Sequence, residues 1–410
     1  MFKPYRLALA SLCIYRNILR DPLLQSLLQL LEQGIKEADS ISTRDAYYEF
    51  LYQLFQSGMS FKNYLIDLIR YDDNPFSRAC ELSDIDNIDQ VLLAAARQDL
   101  RNLHFLYKLD FRSLEERLGI RETALDLAHY APNSLAVKLD EAKDWVSQIE
   151  ILAEYHQTHS RGIIARYKAF SFSSPLGLQG IEKPDLPAMD DLIGCSRQKE
   201  LLCHNTENFL KGHPANNVLL YGPRGTGKST MIRALLSKYG DQALRLIQLD
   251  REQIDCLPEL MALLAGYNVR FIIFIDDLSF EEHETKYKAL KAVLEGGLVC
   301  QPSNVLIYAT SNRRHLVREF FSDRGKMGEE VHGMDTLQEK LSLADRFGLC
   351  ISFETPDKKT YLQIVDHLAQ KNRLQLDTEQ LHQQALQWER GRHGPSGRTA
   401  RQFIDSLDRD

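Results

Sequence analysis

The chain has no long apolar run. None of its segments approaches the ~18 consecutive apolar residues that a membrane span needs. The nearest candidate, LALASLCIY at residues 7–15, is closed by Arg16 and Asn17. Lys3 and Arg6 precede that run, but no small-residue cleavage site follows, so it reads as an amphipathic first helix and not as a secretory signal. Cysteine is scarce as well. Seven thiols are scattered over 410 residues, an odd number with no pair at C-x-x-C spacing. That argues against a disulfide framework and for a reducing, cytoplasmic setting. Cys203 and His204 are adjacent, yet no second pair at ligand spacing follows, so no cysteine–histidine metal centre is expected. Positive charge is short too. A formal net charge of −7 supplies no basic field, and contact with nucleic acid would need a local patch.

What is present is globular. Hydrophobic residues at 44% and charged ones at 26% are the proportions of a folded soluble chain, and its length is too great for one core, so two or three domains are expected. Residues 1–170 read as an all-helical domain. In DPLLQSLLQLLEQG, Asp21 suits a cap, Pro22 the first turn and Gly34 the exit. Leu23, Leu24, Leu27, Leu28 and Leu31 fall on one apolar stripe. AYYEFLYQLFQSG repeats the pattern, with Tyr47, Phe50, Leu51 and Phe55 expected in the core. Residues 171–189 carry Pro175, Gly177, Gly180, Pro184 and Pro187, which disfavour any regular element and mark a linker. Residues 190–354 then alternate strand and helix. Continuous apolar runs at 217–221, 244–250, 270–276, 304–310 and 349–353 predict a five-stranded parallel sheet buried on both faces. Residues 355–410 return to helix.

Three stretches carry chemistry. GPRGTGKS, Gly222 to Ser229, satisfies G-x-x-x-x-G-K-[ST] between a predicted strand and a predicted helix. Gly222, Gly225 and Gly227 permit a turn whose N–H groups point inward at phosphate oxygens, and Pro223, Arg224, Thr226 and Thr230 complete the cradle. Lys228 would meet the β- and γ-phosphates, and Ser229 would ligate magnesium. In FIIFIDDLSF, Asp276 sits at the carboxyl end of a strand, where it would hold magnesium largely through water. Asp277 could orient and deprotonate an attacking water. In IYATSNRRHL, Asn312 follows another buried strand, where an amide can hydrogen-bond both phosphate and water.

Together these elements resemble the AAA+ ATPases over roughly residues 185–410, with a Walker A motif at 222–229, a Walker B motif at 272–277 and a sensor 1 residue at Asn312. The resemblance implies further roles. LSLADRFGLCISF looks like the segment that bears the arginine finger, Arg346. GPSGRTARQF looks like the sensor 2 helix of a lid, with Arg398 preferred over Arg401 as the sensor. In DLIGCSRQKELL, Leu192, Ile193 and Gly194 stand where such proteins contact adenine. LKAVLEGGL and NVLIYATSNRRHLV look typical of an uncharacterised bacterial AAA+ family, catalogued as a domain of unknown function, with a helical N-terminal half. The implied fold is an α/β P-loop AAA+ domain at 190–354 with a C-terminal helical lid at 355–410, preceded by the all-α domain. The implied cofactors are ATP and Mg²⁺. The implied assembly is a homo-oligomer in which Arg346 acts on the partner's ATP, since a guanidinium is always charged and matches phosphate geometry.

The sequence departs from that pattern in two places. Asp277 stands where the family's second acid is Glu, one methylene longer, so hydrolysis could be slow. DREQIDCLPELM follows the second strand of the core without the aromatic–apolar–Gly loop of a threading unfoldase. Residues 322–336, rich in Gly and charge, read as a solvated insertion. Arg313, Arg314 and Arg318 cluster, but no aromatics interleave them, so nucleic-acid binding is not favoured. The expected function is ATP hydrolysis at subunit interfaces to remodel or assemble a protein partner held by the N-terminal helices. The alternatives are a slow ATP-dependent switch or scaffold, and a replication-type loader on nucleic acid.

Overall fold

Short capped helices build the first unit, Met1–Arg166. The structure, a computed structural model, describes residues 2–120, 134–280, 286–295, 301–313, 316, 343–374, 377–392 and 394–407. Within the first unit these include α1 (Phe2–Ala10), α2 (Pro22–Lys36), α3 (Ile41–Ser57), α4 (Phe61–Arg70) and α5 (Pro75–Leu82). They continue with α6 (Gln90–Tyr107), α7 (Phe111–Arg117), α8 (Ser134–Glu141), α9 (Ile149–His159) and α10 (Gly162–Arg166). Asp21 caps α2 as its position predicts, accepting hydrogen bonds from the N–H groups of Leu23 and Leu24 at 2.9 and 3.2 Å. Leu23, Leu24, Leu27 and Leu31 are buried and Leu28 is half-buried.

Two side-chain expectations fail here. Gly34 does not end α2, which runs on to Lys36. A Cβ at Gly34 would lie 2.6 Å from the Phe2 ring, so this glycine lets α1 approach closely. Phe55, expected in the core with Tyr47, Phe50 and Leu51, is 45% exposed, and Leu54 takes the buried place. Position 55 is one step round the helix from the buried face.

The second unit, Tyr167–Asp410, begins with a larger correction. The Pro- and Gly-rich stretch expected to avoid regular structure forms a hairpin, β1 (Ala169–Ser173) antiparallel to β2 (Gly177–Ile181). Phe170 and Phe172 bury on the way, and β1 also pairs in parallel with β4 (Leu244–Leu249). The prolines punctuate the turn and the exit and spare the strands. The other strands are β3 (Val218–Tyr221), β5 (Arg270–Ile275), β6 (Val305–Ser311) and β7 (Leu349–Ser352), one in each remaining apolar run. Among the described residues the sheet therefore has seven strands and not five, in the order β2-β1-β4-β5-β6-β3-β7, all parallel except β2.

Helices α11 (Ser196–Leu210), α12 (Lys228–Tyr239), α13 (Leu257–Leu264) and α14 (Lys286–Glu295) connect the strands. All seven residues of β6 are buried, as central parallel strands require. Three further helices, α15 (Lys358–Lys371), α16 (Thr378–Arg390) and α17 (Gly397–Asp405), pack around Tyr361, Val365, Ala385, Ala400 and Phe403 to form the lid. Among the described residues no helix is long and apolar enough to cross a membrane.

Candidate functional site

Strand register decides which loops meet. Tyr221 of β3 pairs with Ser311 of β6, and Ile275 of β5 pairs with Ala309. The carboxyl ends of three strands therefore lie side by side, and the residues after them share one cleft of about 670 Å³. From the core, Gly225 to Thr230, Asp276, Asp277 and Asn312 line it; from the lid, Arg398 and Arg401 do.

The loop before α12 depends on glycine. Gly222 has φ +142°, its N–H donates to the Ser311 carbonyl at 3.2 Å, and a Cβ there would lie 2.0 Å from the carbonyl oxygen of Phe353. Gly225 has φ +78°, and a Cβ there would meet Ser396 at the N-cap of α17, 2.9 Å from its hydroxyl. Only a residue without a side chain lets the loop and the lid come this close. Lys228 opens α12, is buried, and donates from Nζ to the carbonyls of Gly222 and Pro223, both at 2.7 Å. Burial lowers its pKa, Asp276 and Asp277 oppose that shift, and Arg224 and Arg398 reinforce it. Thr226 Oγ1 also donates to Pro223, at 2.9 Å, which closes the turn.

The acids face this loop. Ser229 Oγ donates to Asp276 Oδ1 at 2.6 Å. A hydroxyl and a carboxylate side by side form a set of hard oxygen donors suited to Mg²⁺, so the residues fit the ion expected from the sequence. Asp277 follows with φ +49°, in the left-handed region. Its carboxylate accepts a hydrogen bond from Asn312 Nδ2 and lies 3.7 Å from the Arg224 guanidinium.

A second cavity, of about 330 Å³, adjoins the first. Ile193, Gly194 and Thr360 line it, with Leu192, Gly227 and Ile364 among the residues common to both. Asp191, just before this segment, ties the lid down: Lys371 Nζ donates to Oδ2 at 2.5 Å and His367 Nε2 lies 3.2 Å from Oδ1. Burial pushes the Asp191 pKa up, but the bonds from Lys371 and His367 outweigh it and leave the carboxyl below its ordinary range.

The sequence-predicted residues are thus brought together, with one exception. Arg346 lies in the segment before β7, away from the cleft, and forms an ion pair with Glu295 at the end of α14. Arg313 is exposed, while Arg314, Arg318 and the 322–336 insertion lie outside the described residues. Sequence reasoning missed Thr310, Asp191 and Arg233. Thr310 is buried beside both acids near the end of β6, where its sequence reads as one more β-branched strand residue. Arg233 lines the cleft one turn beyond Thr230 on α12.

A mostly parallel sheet with a glycine-rich loop between β3 and α12, an acid just past β5, a polar residue past β6 and a helical lid beside the loop define an AAA+ protein. Residues 165–409 match the family described as "Protein of unknown function (DUF815)", and the chain belongs to that family. The Replication factor C large subunit of Methanococcus vannielii is 33% identical to it over 85 residues, 21% of this chain. This chain spans only 17% of that protein's length. The corresponding subunit of Methanococcus maripaludis is 28% identical over 85 residues, 18% of its length. Among solved structures, the Thermotoga maritima RuvB Holliday junction branch migration motor is 16% identical with a TM-score of 0.36, covering 53% of this chain and 63% of that one.

Proposed function

We propose that this chain binds ATP and Mg²⁺ in the cleft and hydrolyses ATP at a boundary between subunits. The energy remodels or assembles a protein partner that the N-terminal helices recognise. One observation carries the reading: three separated stretches of sequence deliver Lys228, Ser229, Asp276 and Asn312 to one cleft. Lys228 Nζ turns from the loop carbonyls to the β- and γ-phosphates, and its burial strengthens the attraction. Ser229 and Asp276 would hold Mg²⁺, and the ion when bound would draw charge off the phosphate oxygens. Asn312 positions the γ-phosphate and the attacking water, Asp277 takes the water's proton, and Arg398 meets the phosphates from the lid. Leu192, Ile193 and Gly194 flank the adenine. Arg346 of the partner subunit completes the site.

A slow switch is the second reading, and the state of Asp277 favours it. Its carboxylate is engaged by Asn312 and Arg224, and it is one methylene shorter than a glutamate. Phosphate release by the full chain, with Mg²⁺ or with EDTA, separates the two. Steady release that Lys228→Ala abolishes supports the hydrolase, whereas tight ATP binding without release supports the switch. A wild-type chain that binds no nucleotide refutes both. A nucleic-acid loader, the role that the name of the replication-factor relatives suggests, requires salt-sensitive DNA binding that weakens in Arg313→Glu.

A further inference from the structure

We infer that Thr310 is a positioning residue that holds the two adjacent acids of the site in register; this rests on the nucleotide-hydrolysing reading above. Thr310 is the penultimate residue of β6 and is 1% exposed. Its hydroxyl makes two bonds of opposite sense. It donates to Asp276 Oδ1 and accepts the N–H of Asp277 at 3.0 Å. Its carbonyl accepts the N–H of Leu278 at 2.7 Å. One residue therefore ties down three consecutive positions, and the middle one carries the left-handed backbone that turns the Asp277 carboxylate toward Asn312.

The bonds to Asp276 differ in what happens to them. Ser229 and Thr310 both donate to Oδ1. Ser229 is the hydroxyl expected to turn to Mg²⁺, which leaves Thr310 as the group that keeps Asp276 oriented once the ion is in place. Groups that orient a metal's ligands from behind change affinity or activity by roughly 10–100-fold when removed. Valine at 310 keeps the shape but breaks both hydroxyl bonds and leaves the Asp277 N–H without its acceptor. Serine keeps the hydroxyl and loses only a methyl group.

The test uses the full chain, with fluorescent mant-ATP as the probe and phosphate release as a second readout. Thr310→Val is expected to bind mant-ATP in EDTA within about twofold of wild type, since the loop and Lys228 are untouched. It should need about tenfold more Mg²⁺ to reach the metal-bound state and lose about 100-fold in kcat, with KM little changed. Thr310→Ser should restore both. The inference is overturned if Thr310→Val keeps wild-type Mg²⁺ dependence and kcat. It is also overturned if Thr310→Ser is as impaired as the valine variant, or if the valine variant loses mant-ATP binding in EDTA together with its thermal midpoint. Those last results mark a packing role. Failure of wild type to bind mant-ATP at all would instead remove the reading on which the inference stands.

Discussion

The Arg346–Glu295 ion pair can be broken from either end, and the two breaks have different consequences if Arg346 serves a partner subunit. The side chains are 30% and 35% exposed, so the pair is partly solvated. Pairs of this kind contribute ~0.2–1 kcal/mol, at most about a fivefold effect on any equilibrium they bias. Glu295→Gln removes that pair and leaves the guanidinium free, so ATP hydrolysis should stay within about fivefold of wild type and could rise. Arg346→Ala removes the same pair and also the finger, for which ~10³-fold, about 4 kcal/mol, is the expected loss. Steady-state phosphate release over a series of protein concentrations measures both. A mixing experiment then tests action between subunits. Lys228→Ala and Arg346→Ala are each expected to be inactive alone, but in a 1:1 mixture of a head-to-tail oligomer about a quarter of interfaces would pair an intact Lys228 with an intact Arg346. The reasoning is refuted if the mixture stays inactive, or if Glu295→Gln and Arg346→Ala fall by the same small factor, which would make Arg346 a surface partner of Glu295 and nothing more.

Gly222→Ala should abolish nucleotide binding in an isothermal titration, because its Cβ would lie 2.0 Å from a backbone oxygen. Gly394→Ala, also at positive φ but with nothing within 4 Å, should cost only ~1–2 kcal/mol of backbone strain in an unfolding titration. The double variant His367→Ala/Lys371→Ala unlatches the lid from Asp191 and should speed mant-ADP release by up to about fivefold in stopped flow, with no change meaning that the latch does not govern release.

The first unit holds two buried groups that titrate against each other. Burial lowers His156 to about 4, so the unfolded chain binds its proton first and stability falls by ~3 kcal/mol as pH drops from 6.5 to 4. Burial raises Asp72 to about 6, so the folded unit binds that proton first and stability rises by a similar ~3 kcal/mol as pH drops from 6 to 3.8. Urea unfolding followed by tryptophan fluorescence should report this pH dependence, to which Asp67 and Asp99, also raised by burial, add in the same sense as Asp72. The slope should shift in opposite directions in His156→Phe and Asp72→Asn; parallel slopes in all three would contradict the assignment.

The site was more legible in the sequence than the first unit. Lys228, Ser229, Asp276 and Asn312 each follow a continuous apolar run, and parallel strands buried on both faces place their carboxyl ends together, so local pattern sufficed to predict a shared cleft. Thr310 was hidden because it reads as one more β-branched strand residue; only its bonds to Asp276 and Asp277 distinguish it. Gly34 and Phe55 were misread for a shared reason. Each depends on what packs across the helix, the Phe2 ring for one and open surface for the other, and a helical period carries no information about neighbours distant in sequence. The hairpin at 169–181 was obscured by Pro175 in its turn, by Pro184 and Pro187 past its end and by Gly177 and Gly180 within β2, whose places relative to the strands composition alone could not resolve.

That hairpin changes how force can travel through the chain. Three residues after Arg166 the backbone enters β1, which is hydrogen-bonded to β4, which is hydrogen-bonded to β5, and Asp276 is the next residue after β5. A displacement of residue 169 along its strand shears a ladder only two pairings from the acid expected to hold the metal. The entry point of the sheet is thus a mechanical terminal of the site, and lengthening it with inserted glycines after Arg166 would lengthen the approach to that terminal without loosening the terminal itself.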